Sequence, residues 1–457
     1  MATLRASGSP TSSPDAPRAS ADTIVAAATP PGRGGIGIVR ISGPMTRAIA
    51  ASMLGHVPRP RHADTAAFAD ADGRAIDTGL TLFFPAPRSF TGEDVLELHG
   101  HGGPVVMDLI IGRAVELGAR PARPGEFSER AFLNDKIDLA QAEAIADLIG
   151  AGSAEAARAA LGSLAGEFSR EVTSLTTRIM ELRAFVEAAI DFPDEDVDFL
   201  DSPAVRGRLS GIAESFERIG RSASQGRALS EGLTVVIAGR PNAGKSSLLN
   251  ALAGHDAAIV TGIPGTTRDL LHERIEVDGL PIHVIDTAGL RESQNVIEKE
   301  GVRRARAEMR RADLVLYVID SGTGPLQGEL EAEASDAPVL PVWNKTDIAA
   351  APVGHAGVAI SALTGAGLPE LRERLKTAAG YRAGDAGVFS ARRRHLDALA
   401  RAERLVQSAA ARLAECAAFE LVAEDLRLAQ QALGEITGEV TSDALLGAIF
   451  AGFCIGK

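Results

Sequence analysis

Residues 239–246 have the composition and spacing of a phosphate-binding loop. Gly239 and Gly244 enclose four residues, and Lys245 and Ser246 follow directly, between a short apolar run and a helical pattern. Glycines let backbone N–H groups curl around phosphate oxygens, and the start of a helix adds a partial positive charge. Lys245 would reach the β- and γ-phosphates, and the Ser246 hydroxyl would bind Mg²⁺. The sequence therefore predicts a site for a nucleoside triphosphate.

The tetrapeptide from Asn344 to Asp347 predicts which base is bound. It follows the apolar run 337–343, and α/β sheets bind ligands at the carboxyl ends of their strands. A carboxylate there can accept from both N1–H and the 2-amino group of guanine, a pair of donors that adenine lacks. A further strand is predicted to end at Ser361 and Ala362, where a backbone N–H could donate to guanine O6. We therefore expect guanine as the base.

Two polar segments between these motifs fit the switch regions of a GTPase. Residues 261–269 are punctuated by glycine and proline and are the expected first switch, with Thr267 as a second ligand of Mg²⁺. Asp286 ends an apolar strand and would act on Mg²⁺ through its water shell. The backbone N–H of Gly289 could then donate to the γ-phosphate.

The residue that orients the attacking water is not fixed by these motifs. Leu290 stands where Ras-type enzymes carry a glutamine, and leucine cannot orient water. Hydrolysis therefore needs another water-positioning group and another positive charge. A cation held by Asn242 and first-switch oxygens could supply the charge. The candidates for the water-positioning group are three carboxylates, Glu292, Glu298 and Glu300.

Composition narrows the class of protein. A chain of 457 residues should hold two to four domains, because single cores rarely exceed about 250–300 residues. With a net charge of −13, contact with nucleic acid would need a local basic patch. Cys416 and Cys454 are the only cysteines, which favours a reducing compartment. No apolar run reaches the length of a membrane span and the N-terminus lacks a secretory pattern, so we expect a cytoplasmic protein that spans no membrane.

The elements that position these motifs are predicted to form several domains. Residues 1–21 read as a disordered tail and 22–135 as a small α+β domain. Helical periodicity fills 136–228 and returns in 384–457, on either side of a P-loop domain at 229–383. This order predicts a discontinuous helical domain with a Ras-like α/β domain inserted, whose sheet is mostly parallel.

Two short polar motifs receive structural interpretations. His99 and His101 are predicted to lie in a strand-end turn, because no third metal ligand is near them in the sequence. Arg392–His395 is the chain's basic run, and it is predicted to form the solvated face of a helix.

Besides the nucleotide motifs, four further segments are distinctive: Thr29–Gly35, Arg123–Lys136, Asp191–Glu195 and Phe453–Lys457. Together these motifs resemble those of the tRNA modification GTPase MnmE (TrmE) family, of the TrmE-Era-EngA-like GTPase superfamily. The similarity extends over about residues 22–457.

The resemblance implies an enzyme with partners. Members of this family are homodimers through the N-terminal domain, and they work with a flavin-dependent MnmG-type partner in a heterotetramer or larger complex. FAD is expected only through that partner. Together they place an aminomethyl or carboxymethylaminomethyl group on C5 of the wobble uridine of certain tRNAs. The one-carbon unit is expected from 5,10-methylene- or 5-formyl-tetrahydrofolate, bound in the N-terminal domain, and GTP hydrolysis is expected to use Mg²⁺ and to be stimulated by K⁺.

The resemblance also assigns residues. The folate contacts are Arg40, Glu97, Lys136 and Lys457, with Cys454 in the adjoining tail. The K⁺ ligands are Asn242, Thr261, Ile263 and Thr266, and the water-orienting catalytic residue is Glu298, acting with Lys245. The expected GTP-binding set comprises the residues of the P-loop, the two switches and the base motifs: Asn242, Ala243, Gly244, Lys245, Ser246, Ser247, Thr261, Gly262, Ile263, Pro264, Gly265, Thr266, Thr267, Asp286, Thr287, Ala288, Gly289, Asn344, Lys345, Asp347, Ser361, Ala362 and Leu363.

The alternative is a binding switch, an Era-like GTPase of RNA or ribosome assembly. Such a protein is expected to carry an RNA-binding domain with basic and aromatic surface. Retention of a reduced folate by the purified protein would distinguish the two functions.

Overall fold

The computed structural model describes residues 22–191, 203–254, 272–286, 312–324, 337–382, 388–415 and 419–456. Within those ranges no helix combines the length and the apolar character that crossing a membrane would require.

The described elements include both strands and helices in the N-terminal third and again around the P-loop, with long helices elsewhere. The strands are β1 Thr23–Ala27, β2 Gly34–Ser42, β3 Asp64–Ala69, β4 Ala75–Phe84, β5 Val95–Gly102, β6 Ala119–Pro121, β7 Leu233–Gly239, β8 His272–Val277, β9 Leu280–Asp286, β10 Leu314–Asp320, β11 Val339–Asn344 and β12 Val358–Ala359. The helices are α1 Thr46–Leu54, α2 Pro104–Glu116, α3 Glu126–Leu133, α4 Leu139–Gly150, α5 Ala154–Leu164, α6 Glu167–Asp191, α7 Pro203–Glu231, α8 Lys245–Ala253, α9 Leu368–Ala379, α10 Arg393–Ala414, α11 Phe419–Thr437 and α12 Asp443–Ala451.

The first compact unit comprises Met1–Ala142 and Thr441–Lys457. Its sheet has the order β3-β4-β5-β2-β1-β6, with every pair antiparallel except β1 and β6. Alternate residues of the central strands, such as Val39 and Leu96, point into one apolar core with residues of α1 and α2. The period of two along these strands therefore decides which face of the sheet the helices cover.

The two histidines of the 99–103 motif lie in a strand. His99 and His101 belong to β5, so the predicted strand-end turn is wrong. β5 is paired on both sides, and His99 lies opposite Ile38 of β2 and Leu80 of β4. A Cβ at Gly79 would lie only 1.9 Å from the His99 carbonyl oxygen, so glycine lets the strands approach here.

A network of ion pairs holds the start of α3 in the first unit. Glu126 is almost fully buried and accepts from Arg120 Nη1 at 2.9 Å, while Arg130 reaches Asp22 at 2.9 Å and Glu93 at 3.1 Å. Burial alone would raise the pKa of Glu126, but hydrogen bonds, chiefly from Arg120, lower it to about 2. Part of the segment 123–136 therefore stabilises the fold.

The second unit, Glu143–Val440, contains the other sheet. Its strand order is β12-β11-β10-β7-β9-β8, and every pair is parallel except β8 and β9. One apolar cluster joins these strands to Ala156 of α5 and Leu229 of α7. The predicted fold class is confirmed: an α+β N-terminal part, helical segments on both sides of the P-loop region, and a mostly parallel sheet.

The basic run at the start of α10 is not a solvated face, so that prediction is wrong. Arg394 donates to both carboxylate oxygens of Glu143, at 2.8 and 2.6 Å, and His395 Nε2 lies 2.8 Å from the same carboxylate. Arg392 donates to Asp147 at 2.8 Å. Glu143 and His395 are each 2% exposed. The run therefore fixes α10 to α4 through buried charge.

The protonation of this cluster follows from its contacts. Burial opposes the charged form of Glu143, but hydrogen bonds from His395 and Arg394 lower its pKa to about 2. Burial lowers the pKa of His395. Because the backbone N–H of Arg392 donates to His395 Nδ1 at 3.0 Å, the ring is neutral and carries its proton on Nε2.

Replacing Glu143 by glutamine is expected to lower the free energy of unfolding at pH 7 by about 3–5 kcal/mol, because the largely buried Arg394 loses the carboxylate that balances its charge. Glu143 has a folded pKa below its ordinary value of 4.5. The stabilisation by the Glu143 carboxylate is therefore complete above pH 4.5 and is lost as the pH falls toward 2. The difference in free energy of unfolding between parent and variant, measured by urea denaturation, should decrease over that pH range.

The matched control is Glu424→Gln, which removes an exposed carboxylate paired with Arg427 on the surface of α11. It should leave the urea midpoint nearly unchanged. A Glu143→Gln protein as stable as the parent at pH 7 would refute the role of the cluster.

Candidate nucleotide site and tail-docking site

The P-loop joins β7 to α8, as its sequence pattern predicts. Gly244 has φ +95°, and a Cβ there would lie 2.3 Å from Asn344 Nδ2, so both conformation and space require glycine. Lys245 begins α8, and its Nζ donates to the carbonyl oxygens of Gly239 and Arg240 at 2.8 and 2.9 Å. Ser246 and Ser247 follow on the first turn of α8, with exposed side chains.

Asn344 ties the P-loop to the base motifs. Its side chain is buried, and its Nδ2 donates to the Ala243 carbonyl oxygen at 2.9 Å. Its Oδ1 accepts from the backbone N–H of Ala362 at 3.0 Å. The structure therefore brings together three segments that are separate in the sequence.

Asp347 is oriented by the loop after β12. Ser361 Oγ lies 2.6 Å from Asp347 Oδ1, and Thr364 donates its backbone N–H to Ser361 Oγ at 3.1 Å. Leu363 in the same loop is largely exposed. A carboxylate fixed at the carboxyl end of a parallel sheet is suited to accept from a base with two adjacent donors.

Lys345 has an uncommon backbone conformation and a partner that the sequence did not reveal. Its φ is +67°, in the left-handed region that lysine rarely adopts. Its Nζ lies 2.8 Å from Asp320 Oδ2, and this hydrogen bond is the main cause of a lowered pKa for Asp320. The available signal was the position of Asp320 at the end of the buried strand β10, beside Asn344 of β11.

Several predicted residues lie outside the described part of the chain. These are Thr261, Gly262, Ile263, Pro264, Gly265, Thr266, Thr267, Thr287, Ala288, Gly289, Glu298 and Lys457. The backbone of Asp286 is described at the end of β9, where Asp286 pairs with Ile237 of β7.

A second polar site lies on the sheet of the first unit. Arg40 of β2 stands opposite Glu97 of β5, and Arg40 Nε lies 2.9 Å from Glu97 Oε1. His99 Nε2 lies 3.2 Å from the other oxygen, Oε2. The Arg40 guanidinium also lies 5.7 Å from the ring centre of Phe127. The carboxylate is therefore held from both sides. The stem of Lys136 lies near Gly92, in the loop that precedes β5.

The C-terminal tail lies against this polar site. The backbone N–H of Gly125 donates to the Cys454 carbonyl oxygen at 3.3 Å, and Arg40 Nη1 donates to the Gly456 carbonyl oxygen at 3.4 Å. Gly456 has φ +96°, and a Cβ there would lie 2.0 Å from the Ala27 carbonyl oxygen. The Cys454 side chain is exposed.

A P-loop tied by an asparagine to a guanine-type base motif, at the carboxyl end of a mostly parallel sheet, defines a P-loop GTPase. Comparison with known proteins narrows this class. The family model described as MnmE helical domain matches residues 139–454, and that of the GTP-binding protein TrmE N-terminus matches residues 23–136.

The tRNA modification GTPase MnmE of Methylococcus capsulatus is 55% identical over 443 residues, covering 95% of this chain and 99% of that protein. The MnmE of Stutzerimonas stutzeri is 56% identical over 450 residues, with 95% and 99% coverage. The G domain of the T. maritima FeoB iron transporter is 32% identical, covering 32% of this chain and 98% of that domain at a TM-score of 0.25.

The chain belongs to the tRNA modification GTPase MnmE family. It is accordingly a GTP hydrolase of tRNA modification, and its class implies that it binds Mg²⁺ with the nucleotide.

Proposed function

We propose that this GTPase is stimulated by K⁺ and, with a flavin-dependent MnmG-type partner, adds an aminomethyl or carboxymethylaminomethyl group to C5 of the wobble uridine of certain tRNAs. The one-carbon unit comes from 5,10-methylene- or 5-formyl-tetrahydrofolate. The observation that carries the proposal is the contact of the C-terminal tail with the Arg40–Glu97 pair.

The polar site of the first unit suits a reduced folate. A carboxylate held from both sides, as Glu97 is by Arg40 and His99, can accept from the guanidine-like edge of a pterin. Lys136 and Lys457 are the cations assigned to the anionic tail of the folate. A bound folate supplies the carbon, and these residues of the chain hold and orient it.

The nucleotide site supplies hydrolysis. Lys245 binds the β- and γ-phosphates, and Ser246, Thr267 and the water shell of Asp286 hold Mg²⁺, which neutralises phosphate charge. The exposed Ser246 hydroxyl at the start of α8 suits that role. Glu298 orients the attacking water. It takes over the role of the glutamine of Ras-type enzymes, because this chain has Leu290 at that glutamine's position.

The assigned K⁺ ligands are Asn242, Thr261, Ile263 and Thr266. Asn242 supports the assignment, because its side chain is exposed on the P-loop and its φ of +62° suits asparagine. A cation there would offset the charge that develops on the phosphates.

The protein is expected to hydrolyse GTP about tenfold to a hundredfold faster in K⁺ than in Na⁺, because the smaller Na⁺ fits ligands spaced for K⁺ less well and one correctly placed charge contributes on the order of a hundredfold. Asn242→Ala should remove the difference between the two ions. Glu298→Ala should lower turnover with little change in GTP affinity, since the glutamate acts in the transition state. Steady-state phosphate release and nucleotide titration measure both effects.

The matched control is Asn250→Ala, which removes another exposed asparagine side chain, on α8. It should keep the K⁺ dependence. A turnover indifferent to the monovalent ion would refute the assignment of the cation site.

The homodimer and the cytoplasmic location are each supported by one observation. Val105 and Leu109 of α2 and Ile36 of β2 are exposed apolar side chains on neighbouring elements, which suits a homodimer formed by the first unit. Cytoplasmic location rests on the cysteine content of the sequence. We also propose the domain bounds 22–135 for the α+β domain, 229–383 for the P-loop domain, and 136–228 with 384–457 for the two parts of the helical domain.

A further inference from the structure

We propose that Asp320 is a positioning residue for guanine recognition, which holds Lys345 so that the lysine stem covers one face of the base. The proposal rests on the assignment of Asn344–Asp347 to guanine.

Asp320 and the base motif are neighbours in the sheet. Asp320 ends β10 directly beside Asn344, which ends β11. The backbone N–H of Ser321 donates to the Asn344 carbonyl oxygen at 3.0 Å, so the pairing continues one residue past the strand. The 2.8 Å contact between Asp320 Oδ2 and Lys345 Nζ therefore joins two rigid strand ends.

The Asp320 carboxylate is itself fixed. Its Oδ1 accepts from the backbone N–H of Gly322 at 2.9 Å. The Asp320 carbonyl oxygen accepts from Thr323 and Gly324 at 3.1 and 2.9 Å, which closes a tight turn. One carboxylate oxygen thus holds the turn and the other holds the lysine.

Lys345 needs such a partner more than the other residues of the motif do. Asn344 is held by Ala243 and Ala362, and Asp347 is held by Ser361. Lys345 has a flexible four-carbon stem, and only an anchored ammonium group keeps that stem in one direction. Its left-handed backbone and the Asp320 contact together set that direction. A pre-oriented stem lowers the entropy lost on binding the base.

The test compares the release rate of a fluorescent GDP analogue from the full-length protein and its variants. Asp320→Asn keeps an acceptor for Gly322 but removes the charge, and release should become about threefold to tenfold faster. Lys345→Gln should also speed release. The double variant should release no faster than Lys345→Gln alone, because the two residues act as one unit.

The matched control is Asp278→Asn, which removes a carboxylate 3.1 Å from Lys376 Nζ in the same unit. It should leave the release rate unchanged. Thermal unfolding of each variant shows whether faster release comes from loss of the fold or from loss of the Lys345 orientation. If Lys345→Gln leaves release unchanged, the guanine assignment fails and the proposal with it. If Lys345→Gln speeds release but Asp320→Asn does not, or if the two effects multiply, the proposal alone is overturned.

Discussion

The Asp347→Asn variant is expected to bind GTP about a hundredfold more weakly than the parent, and to bind xanthosine triphosphate more tightly. The carboxylate can accept from N1–H and the 2-amino group of guanine together. Xanthine carries an oxygen at position 2 and needs a donor there, which the asparagine amide provides. Ser361 Oγ lies 2.6 Å from Asp347 Oδ1, and the asparagine oxygen can still accept from it.

Equilibrium titration with GTP and with xanthosine triphosphate measures the change in nucleotide preference. Asp313→Asn is the matched control, because Asp313 accepts from the Thr234 backbone N–H near the start of β10, at the other end of the strand from the base motif. It should leave both affinities unchanged. An Asp347→Asn protein that loses affinity for the two nucleotides equally would contradict the assignment of the base contact.

Removal of residues 454–457 is expected to abolish tRNA modification and weaken binding of reduced folate, with GTP turnover close to that of the parent. The deletion removes the Cys454 and Gly456 carbonyl oxygens that accept from Gly125 and Arg40. It leaves the buried Phe453 in place. The P-loop sheet belongs to the other unit and has its own apolar core.

All three activities are measured on one truncated protein, with tRNA and the flavin-dependent partner for the modification assay. The matched variant keeps the tail length but carries Cys454→Ser, which separates the thiol from the backbone contacts. If modification survives the deletion, the tail serves only packing, and the placement of Lys457 at the folate site is wrong.

The P-loop and the parallel sheet could be predicted because their determinants are local. Glycine spacing between an apolar strand and a helix specifies the loop, and Asn344 follows a buried strand that must end at the same edge of the sheet. The side-chain partners could not be predicted in this way. Glu143 and Arg394 are 251 residues apart in the sequence, so nothing near the basic run showed that it would be buried.

The site on the first unit illustrates the same limit. Arg40 and Gly456 are separated by 416 residues, and only the family resemblance suggested that the tail comes near Arg40. His99 was misplaced because Gly100, Gly102 and Gly103 follow it and resemble a turn, whereas in the structure Gly102 lets β5 approach β2 closely. Asp320 was missed because a single aspartate after a strand has many ordinary roles.

Because Lys345 has a left-handed backbone, selection for stability and selection for nucleotide binding favour different residues at this position. Glycine would adopt that conformation without the steric cost that a lysine bears, which is on the order of 1 kcal/mol. A screen that rewarded heat resistance alone would therefore favour glycine at this position and discard the side chain held by Asp320. Directed evolution of a more robust protein should retain the lysine only if the selection also scores nucleotide binding.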